Sequence, residues 1–83
     1  MMIDDLKTVI SQTVDMKGKV IKPEIRFVED LGADYLDMVE VEMAVEDKFN
    51  IEILSDKNIV NIKTVADLIK IIKEKKDIQE ALV

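Results

Sequence analysis

Apolar positions along the chain recur at helical rather than strand spacing. From about Met2 to Met16, Ile3, Leu6, Ile10 and Val14 stand three or four residues apart, the period of one face of an amphipathic helix. Lys17 and Gly18 mark its end. Residues 18–33 form a long connection that is too apolar for a free linker. Val20, Ile21, Ile25, Phe27 and Leu31 are expected to pin it across the helices. Asp34 predicts the N-cap of a second helix running to about Phe49, with Asn50 at its C-terminal turn. Ser55 is expected to cap a short helical turn over residues 56–60. Thr64 then caps a last helix, with Asp67 three positions on in an aspartate variant of the capping box. Val65, Leu68, Ile69 and Ile72 supply that helix with its buried stripe. The final segment, KEKKDIQEALV, either extends it or frays. Glycine and proline are confined to Gly18, Gly32 and Pro23, and two-residue alternation is scarce. The expected fold is all-α: a four-helix bundle with a long first loop and a short third helix, forming a single domain over residues 1–83.

The second helix carries apolar residues on two sides. At about 100° per residue, Met38, Val41, Val45 and Phe49 fall together as a core stripe. Leu36, Val39 and Met43 fall nearly opposite, bordered by Glu40, Glu46 and Asp47. A surface helix needs only one apolar stripe, and a small second one rimmed with carboxylates suits a docking site. Methionine suits a contact that adapts to several partners. A bundle that buries both sides of a central helix accounts for the same pattern, so the wheel leaves both readings open.

Charge changes the picture more than bulk composition does. The net charge is −6. Between Glu29 and Asp47 lie eight acids (Glu29, Asp30, Asp34, Asp37, Glu40, Glu42, Glu46, Asp47) and no base. The remaining ten acids and twelve bases leave a net of +2 elsewhere. A nucleic-acid partner calls for the opposite sign, whereas a basic protein surface is steered toward such a window. Asp34 and Asp37 also suit the first turn for reasons of helix dipole alone. The acids follow helix periodicity without the glycine-punctuated spacing of a calcium loop, so no metal site is expected. The chain has no cysteine and no histidine. That excludes disulfides, thiolate metal sites, cysteine nucleophiles and the usual general base, and the expectation is that the protein is not an enzyme. No apolar run is long enough to span a bilayer, and the N-terminus lacks the pattern of a signal peptide. The expected protein is soluble, not secreted and monomeric.

Three motifs carry a resemblance. Asp30-Leu31-Gly32-Ala33-Asp34-Tyr35-Leu36-Asp37 is followed by Glu46-Asp47-Lys48-Phe49-Asn50-Ile51-Glu52-Ile53, and then by Thr64-Val65-Ala66-Asp67. Together they resemble the acyl carrier protein family over almost the whole chain. The resemblance implies a four-helix carrier of fatty acid biosynthesis, in the bacterial cytoplasm or the matrix of a mitochondrion or plastid. It also implies a 4′-phosphopantetheine arm on a serine after the aspartate, and an acidic second helix that docks on basic surfaces of fatty acid synthesis enzymes and of phosphopantetheinyl transferase. Carried over residue by residue, docking falls to Asp34, Leu36, Asp37, Val39, Glu40, Met43, Glu46 and Asp47. Two milder departures from the family pattern are Leu54-Ser55 in place of a common Pro-Asp, and Glu42 where an apolar residue is common. Glu42 is expected to make the helix surface more acidic still.

The attachment position is occupied by Tyr35 rather than serine. A phenol on a rigid ring displaces the acceptor oxygen by several ångström, and the expectation is that Tyr35 is not modified. Three explanations stand side by side. The chain is a non-carrying interaction subunit, for example one that binds LYR-motif proteins in mitochondrial iron–sulfur cluster assembly or respiratory complexes. Alternatively, a serine was replaced to hold an ordinary carrier unmodified. Or Tyr35 is an exposed residue of no special role at a tolerant helix start.

Overall fold

In the computed structural model, residues 2–81 are described. The first helix, α1 (Met2–Thr13), buries Leu6, Val9 and Ile10 and packs against the central helix of the molecule. Ile3, expected in that stripe, is only half-buried. Lys17 and Gly18 follow in left-handed conformations, with φ of 56° and 73°.

The connection after α1 is more ordered than its sequence suggested. It contains a short helix, α2 (Phe27–Leu31), whose Phe27 and Leu31 are buried. Arg26 and Asp30 hold the start of this turn. The Asp30 carboxylate accepts from the Arg26 backbone N–H at 2.8 Å and pairs with its guanidinium at 3.1 Å. Ile21 is buried as expected, but Val20 is exposed; it lies just past the turn at Lys17 and Gly18, before the chain reaches the core. Gly32 ends α2 with φ 68°. Its N–H bonds back to Val28, and the N–H of Ala33 bonds to Phe27, closing the helix with a left-handed turn that favours glycine.

Next come α3 (Tyr35–Phe49), a 3-10 turn (Lys57–Asn61) and α4 (Val65–Ala81). Asn50 terminates α3 in the left-handed conformation. The 3-10 turn is capped by Asp56, not Ser55: the Asp56 side chain accepts from the Asn58 N–H at 2.8 Å and pairs with Lys75 of α4 at 2.7 Å. The aspartate offers both a cap and a charge for the neighbouring helix. Lys75 is the main reason that its carboxyl is held below the ordinary range. The helix α4 continues through Ala81, so nine of the eleven residues of KEKKDIQEALV extend it, and the last two lie outside the described residues. Its buried stripe is Val65, Leu68, Ile71 and Ile72, with Ile69 half-buried.

Two segments far apart in sequence are stitched together beneath α2. Phe27 donates to the Lys63 carbonyl at 3.0 Å and Val65 to the Ile25 carbonyl at 2.9 Å, forming an antiparallel bridge between Arg26 and Thr64. Ala66 donates to the Pro23 carbonyl at 2.8 Å. The core is aliphatic apart from Phe27 and Phe49, and draws on all four α-helices and on Ile51 and Ile53. The fold is therefore all-α, with α2 as a helical turn inside the expected long loop.

Candidate functional site

The head of α3 is fixed by a reciprocal cap. The Asp34 side chain accepts from the Asp37 N–H at 2.9 Å, and the Asp37 side chain accepts from the Asp34 N–H at 3.0 Å. Two otherwise orphaned backbone donors are satisfied, and the negative charge sits at the positive end of the helix. Immediately after this box comes Tyr35, 80% exposed. Its backbone is set by the cap while its ring stands in solvent.

The two apolar sides of α3 face different surroundings. Val41, Val45 and Phe49 are buried and Met38 is half-buried against the core. On the other side, Leu36 is 68% and Met43 54% exposed, with Val39 half-buried between core and surface. The bundle therefore does not bury both stripes. Glu40 and Asp47 flank the outer stripe and are exposed. Among the described residues neither makes a side-chain hydrogen bond or an ion pair.

The acidic window separates into acids with structural tasks and acids without them. Asp30 is paired with Arg26, whose hydrogen bonds hold its carboxyl below the usual range. Asp34 and Asp37 form the cap. Glu46 was expected at the rim of the docking stripe. In the structure, one of its carboxylate oxygens accepts from the N–H groups of Ile53 at 2.7 Å and Leu54 at 3.0 Å. This clamps the segment after α3 onto the helix. The clamp reaches seven and eight residues along the chain, which a helical wheel cannot display.

Glu42 departs furthest from expectation. It does not add to the acidic surface, because it is only 7% exposed. Burial pushes its carboxyl above the ordinary value, and the nearby Glu46 carboxylate adds to the shift. A signal for this was present in the helical geometry. Glu42 falls about 40° from Met38 and about 20° from Phe49 around the helix, within the core arc.

Glu42 opens onto a cleft of about 620 Å³ that runs from Tyr35 along α3 to the 3-10 turn. Met38 and Val39 form its near wall, Ile59, Val60 and Ile62 its far wall, and Asp34 and Tyr35 also line it. The volume lies in the range of about 300–1,000 Å³ typical of small-molecule sites. Sequence reasoning placed Tyr35 and the outer stripe, but not this second wall.

Comparison with known proteins agrees with the motifs. The family model described as "Phosphopantetheine attachment site" matches residues 4–72. The acyl carrier protein of Wolinella succinogenes is 47% identical over 73 residues, covering 88% of this chain and 95% of its own length. That of Helicobacter pylori strain J99 is 43% identical over 75 residues, covering 90% and 95%. That of a Sulfurovum species is 46% identical over 72 residues, covering 87% and 95%. The reading as a non-carrying subunit for LYR-motif proteins gains no support from these bacterial carriers.

Proposed function

The chain belongs to the acyl carrier protein family, carriers of fatty acid biosynthesis and not enzymes, and from that premise we propose that α3 is its docking helix and that Tyr35 stands unmodified at the attachment position. The observation that carries the docking assignment is the exposure of Leu36 and Met43 beside the exposed carboxylates of Glu40 and Asp47. An apolar patch with an acidic rim complements a basic surface that has an apolar centre. Val39 completes the stripe from its half-buried position. Asp34 and Asp37 present the head of the helix, and Glu46 supports the site by holding the following segment in place. The proposed partners are the basic surfaces of fatty acid synthesis enzymes. The bacterial relatives favour action in a bacterial cytoplasm.

The prosthetic group associated with the family, 4′-phosphopantetheine, supplies a thiol for thioester linkage. This chain has neither cysteine nor histidine with which to replace it. The residues at the head of α3 fit the group only in part. The cap fixes the backbone of residue 35, and the side chain is open to an approaching enzyme. The acceptor oxygen, however, lies at the far end of an aromatic ring rather than one carbon from the backbone. Misplacement by about 1 Å costs on the order of a hundredfold in a positioned reaction. The tyrosine displacement is several times larger, which supports an unmodified Tyr35.

Docking is tested by titrating the protein into a purified acyltransferase of fatty acid synthesis and measuring affinity by calorimetry. Glu40→Lys combined with Met43→Ala is expected to weaken binding by about tenfold or more, equivalent to ~1.4 kcal/mol. Added salt is expected to weaken the parent complex more than that of the variant. Equal affinities for parent and variant would remove α3 as the docking surface.

A further inference from the structure

Sulfur occurs in this chain only as thioether: there are five methionines and no cysteine. A peroxide that meets the protein finds no thiol, so its two-electron chemistry falls to methionine. Among the methionines whose side chains are described, Met16 and Met38 are half-buried against the core, whereas Met43 is 54% exposed. The position of Met43 gives that exposure a consequence. Val39 lies one helical turn before it and Leu36 two turns before it, so the thioether continues the outer apolar stripe of α3. Glu40 and Asp47 stand on either side of it, both exposed and, among the described residues, without a side-chain partner. The structural tasks of α3 leave Met43 free. The cap uses Asp34 and Asp37, the clamp uses Glu46, and the core takes Val41, Val45 and Phe49.

We propose that Met43 is a reversible oxidation site that switches the docking stripe of α3 from apolar to polar. In the forward step a lone pair on the Met43 sulfur attacks one oxygen of hydrogen peroxide. The S–O bond forms and the O–O bond breaks. The departing hydroxide takes the proton of the transferred oxygen and leaves as water. The sulfur is oxidised to a sulfoxide and the peroxide is reduced. The return step belongs to methionine sulfoxide reductases, in which a dithiol supplies two electrons and two protons. The S–O bond then breaks, giving the thioether, water and a disulfide. The sulfoxide oxygen is an acceptor at the apolar centre of a patch whose rim already consists of acceptors. A partner whose own apolar centre covers Met43 must strip water from that oxygen without returning a hydrogen bond. The fold is spared because the side chain stands largely in solvent. This inference rests on α3 being the docking helix and adds to that reading its control by an oxidant.

The test treats the full chain with limiting hydrogen peroxide, isolates the singly oxidised protein and locates the added oxygen by peptide mass. Affinity for a purified acyltransferase of fatty acid synthesis is then measured by calorimetry before treatment, after it, and after repair with methionine sulfoxide reductases. Met43 is expected to oxidise before Met16 and Met38. Affinity is expected to fall by at least about tenfold, equivalent to ~1.4 kcal/mol, with an unchanged melting temperature. Repair is expected to restore both mass and affinity. Met43→Leu has no sulfur at this position, and its affinity, whatever its starting value, is expected to be the same before and after treatment. Met16→Leu, outside the docking stripe, is expected to respond as the parent does. The proposal is overturned if Met16 or Met38 oxidises first, if the oxidised parent binds as the untreated one does, if Met43→Leu loses affinity to the same degree, or if the loss follows a fall in melting temperature. Failure of the untreated parent to bind overturns the docking reading and this inference with it, whereas intact docking that ignores oxidation overturns this inference alone.

Discussion

At the head of α3, Asp34 and Asp37 exchange side-chain-to-backbone hydrogen bonds; at the head of α4, Thr64 and Asp67 do the same. The boxes share their spacing and their aspartate at the third helical position. Their surroundings differ. The α4 box is sewn to the loop before α2 through Lys63, Val65 and Ala66, and Asp67 also accepts from the Lys63 N–H at 2.9 Å. The residue that follows the cap there, Val65, is fully buried. The residue that follows the α3 cap, Tyr35, is the most exposed large apolar or aromatic side chain among the described residues. One device thus anchors a helix in the core, while the other holds a side chain out in solvent. Local sequence dictates the box, and tertiary packing decides its use.

Removing the packing beneath the anchored box should have the largest effect. Phe27→Ala empties a fully buried site whose backbone also donates to Lys63. It is expected to cost about 3–5 kcal/mol by denaturant unfolding, a large share of the stability of a small domain. Next, Asp67→Ala removes an acceptor that serves two backbone donors and is expected to cost about 1–2 kcal/mol. Asp37→Ala removes one bond at the more exposed box and is expected to cost about 0.5–1 kcal/mol. Equal losses at the two positions would mean that the tertiary stitching of α4 adds nothing to its cap.

A smaller effect is expected from pH. The backbone N–H groups of Lys63 and Thr64 hold the Asp67 carboxyl below its ordinary value. Its contribution is therefore present above the unfolded-state pKa and lost as pH falls through the folded one. Asp67→Asn should flatten the loss of melting temperature in acid. Glu42 has the opposite sign, because burial raises its pKa. Its favourable contribution is present below the unfolded-state value and lost as pH rises through the folded one. Glu42→Gln should accordingly raise the melting temperature near neutral pH relative to the parent, with a smaller difference in acid. The smallest effect belongs to Tyr35→Ala, expected to change stability by less than about 0.5 kcal/mol because the ring is in solvent.

Much of this contrast was legible in the sequence, for identifiable reasons. Asp34, Asn50, Thr64 and Asp67 act through neighbours within a few residues, and short-range rules placed them correctly. The two faces of α3 followed from helical periodicity. What escaped was tertiary. The Glu46 clamp spans seven and eight residues, the bridge to Thr64 joins segments nearly forty residues apart, and α2 is a single turn of five residues held by that bridge. Glu42 escaped for a different reason. Its charge suggested the surface, although its angular position placed it in the core arc, and packing prevailed over residue type.

The central claim is that the head of α3 is an intact carrier site at which only the tyrosine prevents attachment. Its most direct test is the intact mass of the protein and of Tyr35→Ser after incubation with coenzyme A and a promiscuous phosphopantetheinyl transferase. The account predicts that the serine variant gains one prosthetic group and the parent gains none. Modification of the parent at Tyr35, or failure of the folded serine variant to be modified, would contradict it.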